Sequence, residues 1–132
     1  MTTAALPTVL IVEDDEPIGQ YVAFVVADAG CHPVLATHGL QALELAQVQW
    51  PALVIADLML PFLSGAELIV ALRAEAVLRR VRLPVILMTS AGLPQARAAG
   101  ADAILRKPFT LADLQALLHR FLVAGAQRQE GD

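Results

Sequence analysis

Cysteine, tryptophan, tyrosine and lysine each occur once in this 132-residue chain. A lone Cys31 excludes a disulfide framework and a cysteine metal centre, and reads as a small, semi-buried apolar group. Aromatic residues make up 5% of the chain, and none interleaves with the one arginine cluster, Arg79, Arg80 and Arg82. That cluster closes a helical segment, where cations suit the negative end of the helix dipole, so it argues no direct nucleic-acid role. The chain is 57% hydrophobic with mean hydropathy +0.61. Even so, it lacks an uninterrupted apolar run of roughly eighteen residues, which excludes a helix inserted across a membrane. The start, "MTTAALP", lacks the basic and apolar regions of a signal peptide. On these grounds the chain is expected to be soluble and cytoplasmic, and its length suits one domain.

The residues that are present fall into an alternating order. Short runs rich in valine, isoleucine and leucine recur at Thr8–Val12, Pro33–Ala36, Leu53–Ala56, Pro84–Met88 and Ala103–Arg106. They do not alternate with polar residues, as strands buried on both faces of a parallel sheet do not. Helical spacing separates them. Ile18, Tyr21, Val22, Val25 and Val26 mark Pro17–Ala29, while Leu40, Leu43 and Val48 mark the second segment. Leu68, Ile69, Leu72, Ala76 and Leu78 mark Ala66–Val81, and Leu111, Leu114, Leu117, Leu118 and Phe121 mark Thr110–Leu122. Thr110 with Asp113 has the spacing of a capping box. Strand followed by helix, five times over, predicts a parallel sheet with right-handed crossovers and helices on both faces. The ends, 1–7 and 125–132, are expected to be loose, with no output domain after the second.

Polar residues collect where the strands end. The first strand runs into Glu13, Asp14, Asp15 and Glu16, the second into Thr37 and His38, and the third into Asp57. The fourth ends in Thr89 and Ser90, the fifth in Arg106 and Lys107. In an open parallel sheet all these ends share one edge, the edge at which such sheets bind ligands. Clustered carboxylates repel, and a hard divalent cation such as Mg2+, which prefers oxygen ligands, relieves that repulsion. His32, His38 and His119 are isolated and read as ordinary surface or semi-buried side chains.

The segments "ILIVEDDEP", "LVIADLMLPFLSG", "PVILMTSAG" and "ADAILRKPF" resemble those of response regulator receiver domains of two-component phosphorelay signalling, chemotaxis regulators included. The resemblance covers roughly Thr8 to Leu122, with the receiver domain expected over 8–124, and implies a doubly wound, flavodoxin-like α/β fold with strand order 2-1-3-4-5. It implies Asp57 as phosphoacceptor and a magnesium site formed by Glu13, Asp14, Asp57 and the Met59 carbonyl. Thr89, Ser90 and Lys107 become the phosphate-binding and switch residues, with a cis peptide before Pro108. The donor becomes a sensor histidine kinase, and the recipient a downstream protein or a phosphotransfer protein.

Three departures bear on signalling. Ile104 stands where the family carries an aromatic switch residue. The fourth helix is short, roughly Leu93–Ala99, which predicts a partner surface other than the family's fourth-helix face. Met59 and Ala91 are apolar where family members position or admit hydrolytic water, so the chain is expected to be no enzyme beyond its own phosphorylation and slow dephosphorylation. The rival reading is a docking module that keeps the fold without using phosphate.

Overall fold

The computed structural model describes residues 6–90 and 93–123. Five strands, β1 (Thr8–Val12), β2 (His32–Ala36), β3 (Leu53–Asp57), β4 (Val85–Thr89) and β5 (Ala103–Arg106), form one parallel sheet. Their order is β2-β1-β3-β4-β5, as the family resemblance implied. Helices α1 (Glu16–Asp28), α2 (Gly39–Val48), α3 (Gly65–Arg79), α4 (Leu93–Ala98) and α5 (Leu111–Leu118) make the crossovers, and a π-helical turn, His119–Val123, extends α5. The reversal of strand order falls between β1 and β3, which opens a crevice at the C-terminal edge.

Every residue of β1, β3 and β4 is buried, which explains why their sequences show no polar alternation. The pleat sends Leu10, Val54 and Leu87 toward α2, α3 and α4, while Val9, Ile55 and Ile86 point toward α1 and α5. Caps set the helix starts. Asp15 accepts from the Ile18 amide, His38 accepts through Nδ1 from Gln41, and full capping boxes join Ser64 with Glu67 and Thr110 with Asp113. The expected fourth helix is indeed short, six residues, and Gly100 follows it at φ 82°. Ala91 and most of both chain ends lie outside the described residues.

Several side chains expected to face inward do not. Val48 is 86% exposed and Leu40 also lies outside, because α2 buries Ala42 and Ala46 instead. Leu78 is 79% exposed. It lies two residues beyond buried Ala76, about 200° further round the helix, which places it opposite Ile69. Tyr21 and Leu111 are likewise exposed, while Cys31 is more deeply buried than expected. The arginine cluster is only partly a solvated helix end: Arg79 pairs with Glu75 and stacks over Trp50 at 4.5 Å. Among the described residues, no helix is long and apolar enough to cross a membrane.

Candidate functional site at the C-terminal edge of the sheet

Pairing continues one residue past three of the strands, and that continuation aims the site. The Glu13 amide bonds to the Ala36 carbonyl at 3.0 Å, the Leu58 amide to Met88 at 2.8 Å and the Lys107 amide to Thr89 at 2.8 Å. Extended backbone alternates its side chains, so Glu13 and Lys107 turn inward while their neighbours Asp14 and Arg106 are exposed. Lys107 Nζ sits 2.5 Å from Glu13 Oε1 and 2.6 Å from Asp57 Oδ2. Asp57 Oδ1 accepts from the Met59 amide at 2.9 Å. The bond between Lys107 and Pro108 is cis. The expected core of the site, three residues from three strands, is thus brought together.

The other expected residues lie around that core. Asp14 joins Glu13 and Asp57 in a group whose ligand oxygens lie within 4.8 Å of one another. Thr89 is buried at the end of β4. Ser90 is exposed and lines an apolar groove of about 470 Å³ with Pro17, Ile18, Tyr21, Lys107, Pro108 and Phe109. Met59 is 75% exposed. Ile104 packs partly buried against the α2–α3–α4 core.

One ammonium serves two carboxylates here, leaving the core of the site one positive charge short. Burial, reinforced by the hydrogen-bonded and negatively charged Asp57, pushes the Glu13 carboxyl from 4.5 up to about 7, although Lys107 pulls it down. Burial opposes the Lys107 charge, but the hydrogen bonds it donates to Asp57 and Glu13, with the charges of those carboxylates, outweigh burial and raise its pKa. Glu13 Oε2 is buried with no hydrogen-bond partner. A desolvated carboxylate oxygen left without donor or cation is unfavourable by on the order of 1–3 kcal/mol. Oxygen donors from three carboxylates, one orphaned, fit a hard divalent cation such as magnesium.

A stability consequence follows from Glu13 alone. Its folded carboxyl titrates above the unfolded value, so between pH 4.5 and about 7 the native state holds more protons than the unfolded one. Without divalent metal, the Glu13 contribution therefore falls as pH rises through that window, by at most about 3 kcal/mol. Urea unfolding in a chelator is expected to show wild type losing ground to Glu13→Gln between pH 5 and pH 8. A gap that stays constant with pH would contradict this origin.

Two residues have a part in the site that the sequence reading did not give them: Gly65, noted there only as following Asp57, and Tyr21, read there as a helix-face residue. Gly65 lets the start of α3 sit against β3, where a Cβ would lie 2.4 Å from the Asp57 carbonyl oxygen. Tyr21 stacks on Phe109 at 6.2 Å and so forms a wall of the groove beside Ser90. The eight-residue spacing from Asp57 to Gly65 is a usable signal for the first. Nothing in the local pattern marks the second.

Comparison with known proteins agrees with this architecture. The response regulator receiver domain model matches residues 9–119. The phosphate regulon transcriptional regulatory protein PhoB of Klebsiella pneumoniae is 37% identical over 112 residues, 82% of this chain and 48% of the relative. Response regulator Rre1 of Synechocystis is 36% identical over 124 residues, 89% of this chain and 53% of its own length. The chain thus spans about half the length of these curated relatives. Among solved structures, Vibrio cholerae chemotaxis protein CheY4 superposes with a TM-score of 0.79 at 31% identity, covering 89% of this chain and all of that one. The receiver domain of sensor histidine kinase PA1611 from Pseudomonas aeruginosa, with a magnesium ion coordinated in its active site cleft, gives 0.77 at 31% identity, covering 89% of this chain and 98% of its own. With this fold and this edge, the chain belongs to the response regulator receiver domain family.

Proposed function

We propose that Asp57 accepts a phosphoryl group from the phosphohistidine of a sensor histidine kinase, and that the resulting aspartyl phosphate signals to a downstream protein or passes to a phosphotransfer protein. The observation that carries this reading is Lys107 Nζ, held within 2.6 Å of Asp57 and 2.5 Å of Glu13 at the edge where the sheet binds ligands. A carboxylate oxygen of Asp57 attacks phosphorus. The phosphorus–nitrogen bond breaks, its electron pair returns to the imidazole, which takes up a proton, and a mixed anhydride forms on Asp57.

The protein's part in phosphoryl transfer is positioning and charge neutralisation. Met59 N–H fixes the Asp57 rotamer through Oδ1, leaving Oδ2 facing the ammonium. Lys107 follows the transferred oxygens as a compact point charge. Thr89 supplies a hydroxyl to the phosphoryl group, and Ser90, a small residue lining the groove, leaves room for its entry. Glu13, Asp14, Asp57 and the Met59 carbonyl would hold a magnesium ion, which would supply neutralising charge to the phosphoryl oxygens. The magnesium in the PA1611 receiver, the orphaned Glu13 oxygen and the clustered carboxylates support that site.

Incubation with acetyl phosphate and magnesium, followed by intact-mass measurement, is expected to add one phosphoryl group. Asp57→Asn and omission of magnesium are each expected to abolish the addition. Because the exposed Met59 side chain cannot orient water by a hydrogen bond, the adduct is expected to outlast minutes. Loss within seconds would contradict that. Ile104, a packed aliphatic where an aromatic would swing, favours a second reading in which the chain docks without phosphate. In that case no adduct forms and partner binding is the same in wild type and Asp57→Asn.

A further inference from the structure

The solvent face of α3 carries an apolar stripe that the phosphoryl site does not use. Val70 is 69% exposed, Val77 75% and Leu78 79%, with exposed Ala74 between them and Val81 just beyond the helix end. At 100° per residue, Val70, Ala74, Val77 and Leu78 lie within one arc about 100° wide. This face is not the inner one, which buries Leu68, Ile69, Leu72 and Ala76 against the sheet. Single exposed apolar side chains need no explanation, whereas an aligned set along about two turns of one helix marks a contact surface.

The charges at the two ends of the stripe identify the occupant. Glu67 is exposed at the N-terminal end, on the same arc as Ala74. Arg80 and Arg82 are exposed at the C-terminal end, Arg80 in a left-handed cap at φ 58°. A surface acidic at one end, basic at the other and apolar between is complementary to itself when turned end for end. That is the requirement of a two-fold interface, in which each contact occurs twice. Ala74, a small residue near the midpoint, allows the two helices to approach closely, with Val70 of one copy opposite Leu78 of the other.

We propose that the α3 stripe is a self-association surface, pairing two copies of this chain antiparallel about a two-fold axis near Ala74. The contact goes beyond the phosphoryl reading and does not depend on it. The stripe lies on α3 and not on the short α4.

Sedimentation of the full chain across micromolar to millimolar concentrations tests the proposal. Wild type is expected to pass from monomer to dimer. Leu78→Glu and Val70→Lys, both at exposed positions, are each expected to weaken dimerisation by about tenfold or more while keeping the far-ultraviolet circular dichroism of wild type. Glu67→Arg and Arg80→Glu are each expected to weaken it alone, by placing like charges opposite. An equimolar mixture of those two variants is expected to recover association, because each restores the other's ion pairs. Wild type monomeric throughout would overturn the proposal and assign the face to a different partner. A dimer indifferent to Leu78→Glu and Val70→Lys, or a mixture no tighter than its separate variants, would overturn it as well.

Discussion

Lys107→Ala is expected to slow phosphoryl uptake from acetyl phosphate by about a hundredfold at saturating magnesium. The ammonium is the one side-chain cation bonded to Asp57 among the described residues, and its loss leaves Asp57 beside buried Glu13 with no neutralising group in direct contact. Charge at the attacking and transferred oxygens would then rest on the metal alone. Lys107→Arg is not expected to restore the rate, because a planar fork needs paired acceptors whereas the site offers single oxygens from two different strands. Arg106 gives no rescue either: it is exposed, on the opposite side of the extended chain. A single-turnover time course of intact mass measures both variants. A Lys107→Ala rate within threefold of wild type would remove the ammonium from the mechanism.

Gly65→Ala is expected to have the largest effect on folding, a loss of about 3 kcal/mol in urea unfolding. The added Cβ would meet the Asp57 carbonyl oxygen at 2.4 Å and Leu58 Cα at 2.8 Å, both backbone atoms at the end of a central strand. The Gly65 amide also donates to the Leu58 carbonyl at 2.9 Å, so a hydrogen bond holds the close approach. Gly39 provides the contrast. A Cβ there would meet Leu63 Cδ2 at 2.8 Å, which a rotamer change can move, and Leu63 Cβ at 2.9 Å, which can give only by a shift of the loop between β3 and α3 and not of a central strand. Gly39→Ala is accordingly expected to be the milder of the two. Equal effects would show that the α3 start tolerates displacement, and with it the backbone that carries Asp57.

The strands and the ligand-binding edge were legible because both rest on simple physics. A strand buried on two faces must be apolar throughout, and in a parallel sheet the polar residue following each strand falls on one edge. Glu13, Asp57 and Lys107 could therefore be assembled without knowing any helix orientation. Helix faces were harder to read. Periodicity finds apolar residues, but on α2 the buried ones are Ala42 and Ala46, so the larger Leu40 and Val48 drew the face to the wrong side. Leu78 misled in the same way on α3, where its exposure belongs to an outward stripe. The stacking of Tyr21 on Phe109 joins residues distant in the chain, and local pattern does not encode such distances. His38 shows a further limit: a ring nitrogen capping α2 has no signature beyond its place before a helix.

The central claim, that the sheet edge is built to place a phosphoryl group on Asp57, is tested most directly by locating the group. After acetyl phosphate and magnesium, borohydride reduction converts an aspartyl phosphate to homoserine, and peptide mass spectrometry identifies the altered residue. Homoserine at 57, with Glu13, Asp14 and the three histidines unmodified, is the predicted result. An unaltered Asp57 peptide, or modification at any other residue, would contradict it.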